Sequence, residues 1–406
     1  MGLDIPAHVP PDRVVDVDLY RMPGSEQDLH APWKALQDTA AGGVVWTPHN
    51  GGHWIVTGGS DIARIYADHE NFSSNITIVP REFGEQFPLR PTTVDPPGHR
   101  RFRQRINAAL TPAVVRTVEP TIRRVIIESV ERIRPAGCCE FISECAVTLP
   151  IAVFMHLADL PLESAAVLPG YSEDPNSEGP HAGVPVMERF AAFLRPWVAE
   201  RRAHPGDDLI SCLLTHTTGD ASLTDDEAVD VGVALLTGGL DTVVSSLGFM
   251  MAFLARNPDH RRRLVADPSL IRAAVAEMLR RFPIMTKGRL VRRDQVMDSV
   301  CMKAGDMVIL PPLHGLDERE FHDPLTVDFH RPVAPHSTFG NGVHRCPGAH
   351  LSQIETEIVL REWIARIPEF EIDPVRPPTM RSGILGAMLQ VGLRWDPHTT
   401  IVVPVA

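Results

Sequence analysis

Residues 339–348 read Phe-Gly-Asn-Gly-Val-His-Arg-Cys-Pro-Gly and are the most informative segment of the chain. Two glycines precede Cys346 and one follows it, so the backbone can turn tightly and approach a flat partner. The apolar residues Leu351, Ile354 and Ile358 then predict one face of a helix. Cys346 therefore lies at or just before a helix N-terminus, where free N–H groups and the helix dipole favour a thiolate.

Composition limits the class of protein. The 406 residues are 44% hydrophobic, which is enough to bury a large core. The formal net charge of −12 does not favour a nucleic-acid partner. None of the six cysteines forms a Cys-x-x-Cys pair, so neither a zinc site nor a disulfide framework is expected. This cysteine usage is typical of the reducing cytoplasm.

One segment resembles a membrane span. Residues 231–254 are nearly all apolar and long enough to cross a bilayer. Asp241 stands in the middle, however, and a carboxylate there is costly in lipid. The first residues also lack a basic start followed by an apolar run, so we expect no secretory signal. The sequence predicts a cytoplasmic protein that does not cross a membrane.

The helix and strand signals predict a mainly α fold with a minor β region, in a single domain over residues 1–406. The part up to about residue 95 is rich in Pro and Gly and predicts strands and loops, whereas helical signals dominate from 97 to 282. A capping box at Thr224 and Glu227 begins a helix that Asn257-Pro258 ends. Further elements are predicted as helices over 269–282 and 349–367, a strand over 307–310, and strands with turns over 384–403.

The middle of the long helix reads Gly-Gly-Leu-Asp-Thr at 238–242. Each mid-helix glycine costs about 1 kcal/mol relative to Ala, so the pair needs a reason. The glycines could let the backbone distort and open a groove, in which Asp241 and Thr242 pass protons through water. They could instead serve a close helix crossing, with Thr242 bonding back to its own helix. Both interpretations stay open at this point.

These segments together resemble the cytochrome P450 family. Residues 339–348 match its haem-binding pattern Phe-Gly-x-Gly-x-His-x-Cys-x-Gly at every fixed position, 238–242 match its oxygen-activation motif, and 277–280 match its Glu-x-x-Arg motif. The resemblance covers nearly the whole chain and is closest to the bacterial camphor-hydroxylase branch. It implies a fold in which haem b (iron protoporphyrin IX) lies between the long central helix and the helix that follows Cys346.

The resemblance also implies roles for individual residues. Cys346 would be the axial ligand of the haem iron, in a loop with Phe339 and Gly340, and Asp241 and Thr242 would deliver protons. Arg331 would join the pair Glu277 and Arg280 in bracing the haem pocket, although such a pair is by itself usually a solvated surface contact. The haem propionates would be held by His99, Arg103, Arg289 and His344.

The implied activity is that of a monooxygenase, which inserts one atom of O₂ into a C–H bond and releases the other as water. Two electrons would come from a [2Fe-2S] ferredoxin and its NADH-dependent reductase. A basic cluster on the early helix, which includes Arg101 and Arg105, suits an acidic partner, with Arg100 and Arg103 as docking residues. A merely solvated basic face is the alternative.

The predicted pocket departs from that of the camphor hydroxylases. Phe87 stands where they hold the substrate ketone with a tyrosine, and Met285 and Thr237 each replace a valine. Lys287 replaces an aspartate that helps to anchor a propionate, and its ammonium could either reach a propionate or point elsewhere. We therefore expect a different small apolar substrate, a terpenoid or norisoprenoid such as an ionone. The predicted lining is Ile78, Phe87, Thr92, Ala234, Thr237, Gly238, Met285, Ile384 and Leu385.

Two other functions remain possible from the sequence. One is a peroxygenase that uses hydrogen peroxide, and the other is a non-catalytic haem carrier or sensor. The pair Asp241 and Thr242 favours the monooxygenase over both, because it suits proton delivery to bound O₂.

Overall fold

The computed structural model describes residues 5–40, 43–86, 88–168, 186–216 and 222–398. The protein is 52% helix and 12% strand, which confirms the predicted fold class. The chain forms two compact units. The first comprises residues 1–98, 276–346 and 379–387, and the second comprises residues 99–275, 347–378 and 388–406.

The first unit is built on a five-stranded sheet of order β1-β2-β8-β5-β3, in which only β2 and β8 are parallel neighbours. Every residue of β2 and β8 is buried, and these strands lie in the hydrophobic core of the unit. Its strands are β1 Val44–Thr47, β2 His53–Val56, β3 Phe72–Ser73, β5 Lys287–Val291 and β8 Met307–Leu310, with a separate hairpin of β6 Gln295–Met297 and β7 Val300–Met302.

Three short helices also lie in the first unit, where the sequence predicted only strand and loop. They are α1 Ala31–Thr39, α2 Gly59–Ala67 and α3 Arg81–Gln86. Helices this short are marginal on their own and are stabilised by packing. In α1, for example, Trp33 and Leu36 are buried in the core of the sheet.

The second unit is helical, with a small sheet of order β4-β12-β9. Its strands are β4 Cys138–Glu140, β9 Glu371–Ile372 and β12 Gly392–Arg394. Its helices are α4 His99–Ala109, α5 Pro112–Ile133, α6 Thr148–Leu157, α7 Val186–Ala203, α8 Leu209–Thr215, α9 Asp225–Arg256, α10 Pro258–Ala266 and α12 Ala349–Arg366. α11 Ile271–Arg281 contributes to both units, and the remaining strands are β10 Thr379–Arg381 and β11 Ala387–Gln390.

α9 has the predicted bounds and the predicted cap. The Thr224 side chain accepts from the Glu227 N–H, and the Glu227 carboxylate accepts from the Thr224 N–H. Its 32 residues span about 48 Å at 1.5 Å per residue. Among the described residues α9 is the one helix long and apolar enough to cross a bilayer, but 61% of its most apolar window is buried inside the protein. Burial of this extent is typical of a helix in a protein core.

Candidate active site

The cysteine loop is fixed by its own backbone. The Cys346 N–H donates to the Phe339 carbonyl at 2.8 Å, and Gly340 and Gly342 have φ of +67° and +68°. A Cβ on Gly342 would also come within 2.7 Å of the Ala67 Cα at the end of α2. Conformation and packing therefore both require glycine here. The loop presents Cys346, partly buried, three residues before α12 begins.

Glu277, Arg280 and Arg331 meet in the first unit. Arg280 donates to both carboxylate oxygens of Glu277 at 2.8 Å, and Arg331 Nε donates to Glu277 Oε1 at 3.0 Å. Burial alone raises the pKa of Glu277, but these hydrogen bonds and one from the Asp328 N–H outweigh it and lower that pKa. The group is therefore a buried ionised network and not the solvated pair that is usual for this spacing.

The two arginines of this network also hold the chain that leads to the cysteine loop. Arg280 donates to the carbonyls of Gly315 and Pro324, the latter at 2.8 Å. Arg331 donates to the carbonyls of His322 and Asp323 at 2.6 and 3.0 Å. The network therefore links α11 to residues 315–331 by hydrogen bonds, as expected of a structural role.

Two predicted propionate residues lie in the first unit. Arg289 is 4% exposed, and its guanidinium lies 5.1 Å from the centre of the Tyr66 ring. His344 is partly buried, in a 3₁₀ turn two residues before Cys346. Lys287 precedes Arg289 in β5. This unit thus combines the thiol with the cations of Lys287 and Arg289 and with His344.

The other two predicted propionate residues lie on α4 in the second unit. His99 is 3% exposed, and Arg103 donates to Asn107 at 2.9 Å. The helical spacing places both on one face.

The predicted basic docking cluster is smaller than expected. Arg105 is completely buried and donates to the Arg101 carbonyl, so its inclusion was wrong. Arg101 pairs with Glu227, which neutralises it. Arg100 is exposed and Arg103 is partly exposed, so the surface of α4 retains these two cations. Helical spacing alone could not show which side of α4 packs inward.

One face of α9 stays partly accessible while its other faces are buried. Thr242 Oγ1 donates to the Gly238 carbonyl at 2.6 Å. A Cβ on Gly238 or Gly239 would meet no atom of the described residues within 4 Å, so packing does not require these glycines. This disfavours the close-crossing interpretation, although Thr242 does bond back to its helix as that interpretation expected. The accessible face includes Ala234, Thr237, Gly238, Asp241 and Thr242.

Three of the predicted pocket residues in the first unit are joined by backbone contacts. Met285 and Leu385 form an isolated antiparallel bridge, and the Thr286 N–H donates to the Ile384 carbonyl at 2.9 Å. Ile78 and Thr92 are also partly buried in this unit. Phe87 lies outside the described residues.

The donor set fits iron protoporphyrin IX. A thiol on a rigid loop suits its iron, and the cations of the same unit suit its carboxylates. The fold and this donor set define a haem-thiolate enzyme.

Comparison with known proteins agrees. The Cytochrome P450 family model matches residues 186–390. The probable cytochrome P450 127A1 of Sinorhizobium fredii is 32% identical, covering 96% of this chain and 97% of the relative. Two solved structures each cover 97% of this chain and 100% of their own: CYP101J2 with 38% identity and a TM-score of 0.88, and CYP101C1 with 37% and 0.89.

The chain belongs to the cytochrome P450 family. It is a monooxygenase with haem b as its cofactor, and the sequence-based predictions of family, activity class and cofactor are confirmed.

One unusual residue was not predicted. Glu355 on α12 is 2% exposed, and burial raises its pKa to about 8. Among the described residues no cation forms a salt bridge with it, whereas the buried Glu362 of the same helix pairs with Arg366 at 2.6 Å. A signal was present in the sequence, because Glu355 interrupts the apolar face formed by Leu351 and Ile358. Glu355 is therefore a neutral, buried acid at pH 7.

Glu355→Gln should stabilise the protein at neutral pH. In the unfolded chain the carboxyl ionises near pH 4.5, but in the folded protein it stays protonated to about pH 8. Wild-type stability should therefore fall as pH rises across this window, by about 1.4 kcal/mol per unit, and the variant should escape this loss. Its gain should be small at pH 5 and on the order of 3 kcal/mol at pH 7.

Denaturant unfolding of the holoprotein at pH 5, 7 and 8 measures this gain. Glu82→Gln, at an exposed glutamate, is the matched control and should show no pH-dependent gain. A Glu355→Gln gain that is the same at all three pH values would contradict the prediction.

Proposed function

We propose that this P450 hydroxylates a small apolar substrate, a terpenoid or norisoprenoid of ionone-like shape, in the cytoplasm. Electrons would come from a [2Fe-2S] ferredoxin and its NADH-dependent reductase. Residues 1–406 would act as one catalytic domain. Bound haem supplies the activation of O₂ and the oxidation of the C–H bond. The protein supplies the thiolate of Cys346, proton transfer and substrate placement.

The observation that carries the substrate class is the bridge between Met285 and Leu385. Around this bridge the backbone polar groups are paired: Thr286 N–H with the Ile384 carbonyl, and Gly386 N–H with the Ile284 carbonyl at 2.8 Å. The partly buried side chains at 285, 384 and 385 then offer an apolar surface without a charged group. Met also adapts to irregular shapes. Such a surface favours a compact hydrocarbon frame with little polarity.

The accessible face of α9 supports the proposed proton transfer. The Thr242 hydroxyl gives its one hydrogen to the Gly238 carbonyl, so its oxygen is oriented to accept a hydrogen bond. Asp241, its neighbour in sequence, is a carboxylate that can exchange protons with water. Thr242 would thus position water and oxygen, and Asp241 would supply the protons.

The surface of α4 supports a ferredoxin as electron donor. Arg100 and Arg103 are accessible there, on a protein whose formal net charge is −12. A local positive surface of this kind steers an acidic partner.

A binding and turnover panel tests this function. Ionones and related terpenoids should shift the ferric haem from low to high spin and give hydroxylated products when ferredoxin, its reductase and NADH are supplied. Camphor should bind more weakly. A spin shift and turnover with fatty acids alone would contradict the substrate class. Equal turnover with hydrogen peroxide in place of the electron donors would favour a peroxygenase.

A further inference from the structure

Two cations lie on the same face of β5. Side chains alternate along a strand, so Lys287 and Arg289 point to one side and Gly288 to the other. The Gly288 side is closed by protein, because an added Cβ would lie 3.0 Å from the Thr77 backbone. The two cations therefore face away from Thr77, in the unit that also contains Cys346.

Arg289 is 4% exposed and Lys287 is partly buried, so both cations have limited contact with bulk water. Burial lowers the pKa of Arg289, and burial together with the charge of Arg289 lowers the pKa of Lys287 to about 8. The Tyr66 ring, which lies 5.1 Å from the Arg289 guanidinium, is also 3.8 Å from where a Cβ on Gly340 would stand, so the cations lie beside the cysteine loop. Two like charges and the cysteine are thus gathered in one low-dielectric region.

Among the described residues, no carboxylate forms a salt bridge with Lys287 or Arg289. No carboxylate of the described residues lies within the 4.0 Å salt-bridge limit of either side chain. Asp95, whose charge reaches Arg289, is already engaged by Ser73 at 2.5 Å and by Arg292 at 2.8 Å. A buried and a partly buried cation side by side without an acid are unfavourable, so the site suits an anion from outside the chain.

Tyrosinate does not supply that anion. Burial raises the pKa of Tyr66 to about 12, so the ring beneath Arg289 is neutral at physiological pH. The external anion must also lie near the cysteine loop. Haem b meets both conditions, because it carries two carboxylates on a ring whose iron the loop thiol would bind.

We propose that Lys287 is a second cation, beside Arg289, for one haem carboxylate, and that its charge favours the ferrous haem over the ferric. The inference rests on the proposed ligation of iron by Cys346. Reduction adds a negative charge to the haem, and a nearby positive charge stabilises the product. Lys287 thereby serves as a positioning residue that both retains the haem and sets its reduction potential.

Lys287→Met holoprotein tests the proposal. It should lose haem to apomyoglobin about tenfold faster than the wild type, because a charge-assisted hydrogen bond is lost. Its midpoint potential should become more negative. Lys287→Arg keeps the charge and should restore both values towards wild type. Lys303→Met is the matched control and should change neither value, since the Lys303 side chain in the same unit is 45% exposed and pairs with Asp294.

Reconstitution with haem dimethyl ester makes the test specific to the carboxylate. With esterified haem, the difference in haem loss between the wild type and Lys287→Met should disappear. A difference that persists, or Lys287→Met values equal to wild type with ordinary haem, would overturn the proposal. If Lys287→Met fails to fold, the same comparison is made between wild type and Lys287→Gln. Failure of the Cys346 proposal is distinguishable, because the wild type itself would then lack the thiolate spectrum.

Discussion

Replacing Cys346 with serine should remove the red-shifted Soret band of the reduced, carbon monoxide-bound protein and lower turnover by more than about 100-fold. Mutation of residues that only hydrogen-bond to metal ligands already lowers metal affinity or activity about 10–100-fold. Cys346 would bind the iron directly, so a larger loss is expected. Serine keeps the size of the side chain and the Cys346 N–H bond to Phe339, so the loop should stay folded. The loss would then be electronic, since a serine oxygen does not donate electron density as a thiolate does.

Cys301→Ser is the control for this experiment. Cys301 is a free, partly exposed cysteine on β7 of the same unit, so its replacement makes the same chemical change away from the loop. It should retain the band and the turnover. Haem content measured by the pyridine haemochrome separates loss of ligation from loss of haem. A Cys346→Ser protein with the wild-type spectrum would assign the iron ligand to another residue.

The features that could be predicted from sequence depend on residues close together in the chain. The capping box at Thr224 and Glu227 fixed the start of α9 because both partners lie within one turn. The tight turn of the cysteine loop could be predicted because Gly340 and Gly342 adopt positive φ, which few other residues tolerate. Local chemistry of this kind leaves a direct trace in the sequence.

The features that were missed depend on packing between distant segments. Pro32 in the first turn is the one local signal for α1, whose stability comes from burying Trp33 in the core of the sheet. From sequence, Arg105 was predicted to be a surface cation like its neighbours, yet in α4 its side chain is completely buried. Glu355 interrupts the apolar face of α12 in the sequence, but only the fold shows that its own side chain is buried. Burial is a property of the whole fold and is only partly encoded in periodicity.

Thr242→Ala should uncouple NADH consumption from product formation. The hydroxyl oxygen, oriented by its bond to the Gly238 carbonyl, would no longer hold the hydrogen-bonded water or oxygen that protons must reach. Oxygen would then leave as hydrogen peroxide, so NADH use should continue while hydroxylated product falls to a minor share. Asp241→Asn should act differently. It removes the proton donor and should lower kcat about 100-fold, within the range for lost general acid–base catalysis, with coupling less affected.

Parallel measurement of NADH, product and hydrogen peroxide distinguishes these two effects. Thr242→Ser keeps the hydroxyl and should largely restore coupling. Thr117→Ala is the matched control, because the exposed Thr117 makes the same kind of bond to its own helix, to the Val114 carbonyl at 2.7 Å, away from α9. Full coupling in Thr242→Ala would show that its bond to Gly238 serves only the helix. The solvent isotope effect, which is the ratio of kcat in H₂O to kcat in D₂O, should be larger for Asp241→Asn than for the wild type. This result would locate the slowed step in proton transfer, as the proposed roles require.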